Sequence, residues 1–390
     1  MCWSTSPPSR WCASASSRDC SIRSISRGWR TEGTLAEPRP PAPSDPTVAA
    51  AVAPPCDVTL VVPVGGEAAG WNRCAASLAA LDPPPRQVVV VLDGDDPDHR
   101  ETLGRSGLDA DVVALQGPRG PAEARNRGAR EARGAVLLFV DSDVEVPPDL
   151  VARVDRLLRE RRDLAAVIGS YDDAPSHPAL VSRYRNLLHH FVHQHSRRDA
   201  STFWGACGAV RRSVFEEVGG FDERFAQPSV EDIELGMRLR RSGHRIALEP
   251  SLMVKHLKRW TVPGMLHTDL WRRAVPWTEL MLASGALLDD LNVRRGQRWS
   301  VAAAGLLPLA LAATVLSPWA LIAAAALLLL LLACNLELAR FFARRGLLLL
   351  VVSAFWYWVY LLVCGVGYAI GWWRVRSGRA RAPAGSAAGG

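Results

Sequence analysis

From Val58 onward the chain alternates short unbroken apolar runs with longer stretches of helical character. Val58–Val62, Gln87–Leu92 and Ala135–Val140 are continuous apolar segments, the pattern of strands buried on both faces, and Val112–Leu115 is a weaker strand. Between them, Asn72–Leu81 reads as a short helix stopped by Asp82-Pro83-Pro84-Pro85. Pro121–Arg133 reads as a helix with proline at its start and Gly134 just past its end. Glu231-Asp232 opens a third, running to Arg241. Alternating strands and helices predict an α/β fold, a mostly parallel, Rossmann-like sheet with helices on both faces. In such sheets ligands bind at the carboxyl ends of the strands.

The pattern changes at Val301, where 34 residues to Cys334 carry no charge and are interrupted by Pro308 and Ser317-Pro318. About 20 apolar residues cross a bilayer, so this stretch predicts two short helices hinged at Pro318. Leu347–Trp373 is a further span, with Trp356, Trp358, Trp372 and Trp373 suited to interfacial belts. Asn335–Gly346 carries Phe341, Phe342, Arg340, Arg344 and Arg345, as an interfacial amphipathic helix would. Arg294, Arg295 and Arg298 precede the first span and place the preceding domain on the cytoplasmic side. The expectation is a multi-pass inner-membrane protein, with two and three spans both open.

Composition divides the chain further. Residues 1–30 hold nine Ser and five Arg but a single acidic residue, Asp19, and Pro38–Pro55 is rich in Pro and Ala. Segment 1–56 therefore reads as a disordered extension, or as codons translated upstream of the true start. Residues 57–260 form the folded domain, 261–300 linking interfacial helices, 301–373 the transmembrane region and 374–390 a basic tail. Mean hydropathy of +0.04 averages a water-soluble and a lipid-soluble part. The net charge of +7 comes without any nucleic-acid-binding signature, and arginines cluster beside the apolar segments, so membrane lipids are the expected partner and nucleic acid is not. The eight cysteines form no CxxC pair, which leaves free, mostly buried thiols.

Three acidic clusters follow apolar runs: Asp93 in Leu92-Asp93-Gly94-Asp95, Asp141-Ser142-Asp143 after Val140, and Glu231-Asp232. A single Asp after a strand commonly makes a turn. Two carboxylates spaced D-x-D repel unless a cation lies between them, and oxygen ligands suit Mg²⁺ or Mn²⁺ held jointly with substrate phosphates. On its own the D-x-D is also compatible with a solvated turn, and Glu231-Asp232 with matching of charge to a helix N-terminus, which would keep Asp232 ionised.

Val58–Gly65, Asp93, Ala124-Arg125-Asn126-Arg127-Gly128, Asp141-Ser142-Asp143, Gly219-Gly220-Phe221-Asp222 and Glu231-Asp232 stand in an order and spacing that resembles family 2 glycosyltransferases of the GT-A fold, over roughly Val58–Thr261. The resemblance implies an inverting transfer from a nucleotide-diphosphate sugar to a lipid-linked or polysaccharide acceptor. It implies that Pro63, Val64 and Asp93 hold the nucleotide, with Asp93 on the base. Asp141 and Asp143 would bind ribose and diphosphate, Asp143 as principal metal ligand, and Asp232 would be the general base. Arg125 and Asn126 would brace the D-x-D or touch the nucleotide; an exposed helix face is the equal alternative. Gly205-Ala206-Cys207-Gly208 matches the small-residue stretch on the family's acceptor side. His256 falls where such enzymes recruit an additional metal or diphosphate ligand, and with Arg259 and Trp260 it aligns with the Q-x-x-R-W motif of processive synthases, His replacing Gln. Arg259, Trp260 and Glu231 are thereby assigned to acceptor or diphosphate. The run His189-His190-Phe191-Val192-His193-Gln194-His195 has the look of a metal box but lies on a helix outside the family's catalytic set, and reads as acceptor-side or interfacial. Gly65-Gly66-Glu67 and Leu92-Asp93-Gly94-Asp95 depart from the family pattern at the nucleotide pocket.

Two other classes compete. A nucleotidyltransferase would place a Gly-rich, Lys-containing phosphate loop after the first strand, and Gly65-Gly66 has no Lys. A degenerate membrane scaffold would not need Asp93, Asp141, Asp143 and Asp232 together.

Overall fold

The computed structural model describes residues 56–66, 70–285 and 295–380. The extension at 1–56 (except Cys56), Glu67, Arg294 and the end of the basic tail therefore lie outside the described residues.

The apolar runs become β1 (Cys56–Gly65), β2 (Pro85–Asp93), β3 (Asp111–Ala114) and β4 (Val136–Val140). Later strands are β5 (Val144–Glu145), β6 (Ala166–Tyr171), β7 (Asp199–Ala200), β8 (Cys207–Arg211) and β9 (Ile246–His256). They form one sheet in the order β3-β2-β1-β4-β8-β6-β9-β5, with β7 on β9. The first four strands pair in parallel, and so do β6 and β9. The sheet is mostly parallel, as expected, with β5 and β7 antiparallel to β9 and β8 antiparallel to both β4 and β6. β7 already runs opposite to β9, and β8, which follows it through a short loop, keeps that sense; the reversal is made between β6 and β7.

The helices of the domain are α1 (Trp71–Ala79), α2 (Pro97–Ser106), α3 (Pro121–Arg130), α4 (Leu150–Glu160), α5 (Leu180–His195), α6 (Arg212–Glu217) and α7 (Glu231–Arg241). Two apolar layers sandwich the sheet. One packs Trp71, Leu78, Leu150 and Leu158 on Leu60, Val62 and Leu138; the other packs Phe203, Phe215, Phe221 and Leu235 on Phe139 and Val61. α3 lies very close to the sheet because Gly128 has no side chain: a Cβ there would stand 2.4 Å from Val61 Cγ1. A polar lock fixes the α3–β4 turn, with Thr59 Oγ1 and Gln87 Oε1 accepting from the backbone N–H groups of Gly134 and Arg133 at 2.9 and 2.8 Å.

After β9 the chain makes α8 (Val262–His267), a π-helical turn (Thr268–Ala274), α9 (Val275–Ser284), α10 (Arg295–Ala313), α11 (Ala320–Cys334), α12 (Leu336–Ala343) and α13 (Leu347–Arg376). The break between α10 and α11 falls around Pro318, as the sequence implies. Among the described residues only α13 is by itself long and apolar enough to cross a membrane; α11 and α12 qualify only as a pair bent by 71°. The multi-pass expectation is reduced accordingly, because α11 spans 15 residues and α10 spends its first turn on polar residues. The helix expected at Asn335–Gly346 is α12, whose Leu338 and Phe342 are buried against Tyr184 and Trp260 of the domain. The segment expected to link the two parts is packed against both.

Candidate active site

The strand ends of the parallel half meet β9 and the start of α7 in one cleft. Asp141 and Asp143 follow β4, and Leu257 N–H donates to Asp143 O at 2.8 Å, which fixes the D-x-D turn beside the end of β9. Arg125, on the inner face of α3, is almost wholly buried and bridges two elements: Nη2 donates to Asp141 at 2.6 Å and Nη1 to Glu231 at 3.0 Å. Asn126 is also buried, holding Phe221 through its backbone N–H and carbonyl at 2.8 Å each and donating to Glu223. The open question about these two residues is settled against an exposed face: Arg125 braces the D-x-D, and Asn126 anchors the Gly-Gly-Phe loop.

Asp232 differs from its neighbour. Glu231 is spent on Arg125 and on the Ser229 N–H at 2.8 Å. Asp232 Oδ2 accepts only from Gly205 N–H, at 3.2 Å, in the small-residue stretch, while Oδ1 takes the adjacent Ile233 N–H at 2.8 Å. The expectation that a helix N-terminus keeps Asp232 strongly acidic is corrected: burial and the Glu231 charge push its pKa up to about 7, against the pull of Arg125. Desolvation and a like charge outweigh the dipole.

The D-x-D carboxyls also diverge. Burial raises Asp141, with Arg125 only partly offsetting it. Burial opposes charge on Asp143 too, but the facing His256 and then Lys258 win and hold it below the usual range. His256, the last residue of β9, places Nε2 3.5 Å from Asp143 Oδ2 while its Nδ1 lies 2.8 Å from Asn186 Oδ1. With Nδ1 held at Asn186 Oδ1, His256 turns Nε2 to a carboxylate oxygen: protonated, it pairs with Asp143, and deprotonated, the two atoms would be a pair of donors suited to a cation.

Asp93 uses both oxygens on backbone, accepting from Arg119 N–H at 2.5 Å and Gly120 N–H at 2.8 Å, and so ties the loop before α3 to the end of β2. Pro63 and Val64 are buried at the end of β1, in register with Val91 and Leu92. Arg259 is exposed. Trp260 is 5% exposed and packs into the joint with α12 and α13, its backbone N–H donating to Ser182 Oγ at 2.8 Å.

Sequence reasoning passed over Tyr171, Trp204, Asn186 and Arg273. Tyr171 stacks on His256 with centroids 4.4 Å apart, and Trp204, next to Gly205, meets Tyr171 edge-on at 4.7 Å. The histidine run does not form a metal box: His190 and His195 face backbone carbonyls, His189 and His193 are buried behind Tyr171, and among the described residues no group of three or more His, Cys, Asp or Glu is arranged to hold a metal. The cysteines among the described residues are free, as expected.

The family model for glycosyl transferase family 2 matches residues 59–219, and one described as the N-terminal domain of galactosyltransferase matches residues 185–259. A pre-mycofactocin glycosyltransferase of Mycobacterium tuberculosis is 31% identical over 246 residues, covering 58% of this chain and 46% of its own. An N-acetylglucosaminyl-diphospho-decaprenol L-rhamnosyltransferase of the same species is 34% identical over 123 residues, covering 27% of this chain and 39% of its own. The chain thus spans less than half the length of these relatives. A mannosyltransferase of Pyrobaculum calidifontis, solved with GDP-Man and Mn²⁺, shares the fold with a TM-score of 0.51 at 21% identity, covering 81% of this chain and 88% of its own.

Proposed function

We propose that this chain, whose residues 59–219 match the glycosyl transferase family 2 model, is a GT-A enzyme of that family and moves a sugar, with inversion, from a nucleotide-diphosphate sugar to a lipid-linked or saccharide acceptor. The observation that carries this reading is the meeting of Asp141, Glu231 and Asp232 around buried Arg125 at the strand ends, with Asp143 beside Asp141. The lipid-linked alternative draws on the rhamnosyltransferase relative, whose name specifies a decaprenol-linked diphosphosugar. Attachment to a membrane, with the catalytic domain on its cytoplasmic side, is proposed through α13.

The residues fit a divalent cation. Asp143 Oδ2 and His256 Nε2 face each other, and Asn186 orients the imidazole from behind. Two protein ligands suit Mg²⁺ or Mn²⁺, whose other positions diphosphate oxygens and water fill. When bound, the ion would neutralise charge on the leaving diphosphate. Pro63, Val64 and Asp93 would line the nucleotide side, and Asp141 the ribose.

Asp232 would take the proton of the acceptor hydroxyl as that oxygen bonds to the anomeric carbon and the diphosphate departs with its bonding pair. A pKa near 7 suits a general base at neutral pH. The Gly205 N–H fixes one oxygen and leaves the carboxylate facing the cleft by Trp204. Glu231 holds Arg125 and does no proton transfer. Arg259, exposed beside Lys258, remains available to the diphosphate.

The test is release of nucleoside diphosphate from a panel of nucleotide sugars by the full chain, with Mn²⁺ and with chelator. Asp143→Ala should abolish metal-dependent binding of nucleoside diphosphate in calorimetry while the chain stays folded. Unchanged affinity in that variant would overturn the metal assignment, and no release from any donor would overturn the activity.

A further inference from the structure

The residues given roles so far belong to the domain that ends at Trp260. Arg273, in the π-helical turn Thr268–Ala274, reaches the same cleft from outside it. Its Nη1 lies 3.0 Å from Nε2 of His189. A guanidinium only donates, so Nε2 accepts and the ring proton sits on Nδ1, a buried atom with no partner. Burial, then Arg185 and Arg273, hold the His189 pKa well below its ordinary value, so the ring is neutral.

Arg185, packed nearby, is a useful contrast. It forms a buried ion pair with Asp269 and lies over the rings of Trp260 and Tyr360 at 5.4 and 5.7 Å. Arg273 forms no ion pair with any described residue, and its single hydrogen-bond partner is an uncharged ring. A half-buried cation with no ion-pair partner is unfavourable, and here Asp269 and Asp232 act on it without an ion pair to either. Neutral His189 aims the guanidinium without quenching its charge. Lys258, over the Trp260 ring at 4.7 Å, adds a second cation on the Asp143 side, and Arg273 is close enough to Asp232 to favour its charged form.

We propose that Arg273, with Lys258, is a phosphoryl-binding site beside Asp232, taking either the departing diphosphate of the donor or the phosphate of a lipid-linked acceptor. The planar guanidinium fork matches phosphate oxygens, and two cations match its double charge. The choice of phosphoryl group rests on the transferase reading above; the cation without an ion-pair partner does not.

The experiment uses the full chain in detergent with EDTA, so that no metal–diphosphate complex forms at Asp143, and inorganic pyrophosphate as probe. Pyrophosphate should raise the thermal midpoint of the wild type. Arg273→Met should weaken pyrophosphate binding by on the order of ten- to a hundredfold, as loss of charge-assisted hydrogen bonds does, with a ligand-free midpoint equal to or above that of the wild type. Arg273→Lys should keep part of the binding. Absence of pyrophosphate stabilisation in the wild type, or its survival in Arg273→Met, would overturn the proposal; so would a lower ligand-free midpoint with binding intact, the mark of a packing residue. Two further arms identify the source. A raised Kd for nucleoside diphosphate with Mn²⁺ assigns the donor, a raised KM for a polyprenyl phosphate assigns the acceptor, a rise in both assigns a shared site, and no rise in either overturns the role. A chain that binds pyrophosphate through Arg273 yet releases nucleotide from no donor would refute the transferase reading alone.

Discussion

The two sides of the cleft satisfy their polar groups differently. On the β1–β4 side, Thr59, Gln87, Asp93, Arg125, Asn126 and Asp141 hold one another or the backbone, and of these only Arg125 keeps a buried polar atom, Nε, without a partner. On the side built by α5 and the segment after β9, buried atoms of Tyr184, Arg185, Asn186, His189, His193 and Trp260 lack partners. Buried polar groups are normally paired, and exceptions cluster where a site is used. The first side is a rigid frame; the second leaves more of its buried polar atoms unpaired. Asp232 lies on the seam, held by Gly205 from one direction and pushed toward its neutral form by the Glu231 charge from the other.

The sharpest break in this comparison should come at that seam. Asp232→Asn keeps shape and removes basicity, so turnover should fall on the order of 10²- to 10⁴-fold while nucleotide affinity in calorimetry is kept. Near-normal turnover would place the base elsewhere. The pH profile of kcat/KM tests the same residue without mutation. With its pKa raised to about 7, Asp232 is a neutral acid at pH 5, so the rate should rise about tenfold per unit up to pH 7 and then level off. A profile already flat from pH 5 would exclude it. The same shift makes this group favour the fold at low pH: its contribution is full below about pH 4, where the unfolded carboxyl titrates, and is lost as pH rises through about 7.

A smaller effect should come from the frame. Arg125→Met leaves buried Glu231 and half-buried Asp141 without their ion-pair partner, which destabilises by up to about 3 kcal/mol and should show as a lowered denaturant midpoint. Glu231→Gln should do less to turnover than Asp232→Asn, since its side chain serves Arg125. The smallest effect is expected from removing residues 1–54, whose composition carries no apolar periodicity: turnover and expression of a chain starting at Pro55 should match the full chain, and a large loss would show that the segment matters.

Much of the frame was legible because it is local. Val58–Val62, Gln87–Leu92 and Ala135–Val140 announce their strands in contiguous residues, and each cleft aspartate follows such a run or opens a helix. β8 was not legible as an antiparallel strand, because its direction depends on partners at β4 and β6 far away in sequence. Tyr171, Trp204 and Asn186 sit in windows that look like ordinary strand, loop and helix; only packing around His256 gathers them. For Asp232 the local rule of the helix terminus was read correctly and overruled by burial, which no window of sequence reports.

One contact in the joint has a further consequence. α13 reaches the π-helical turn and α9 through two glycines four residues apart: a Cβ on Gly367 would lie 2.4 Å from Ala274 Cβ, and one on Gly371 2.8 Å from Thr278 Cβ. Ala274 is the residue after Arg273. With α13 in a bilayer, as proposed, the height of the cleft above the lipid surface is set by how far this one helix sinks, and the guanidinium moves with it. Lipid thickness then becomes a variable of the enzyme: thicker or thinner bilayers would shift the cleft against the level of an acceptor's headgroup with no change in any residue.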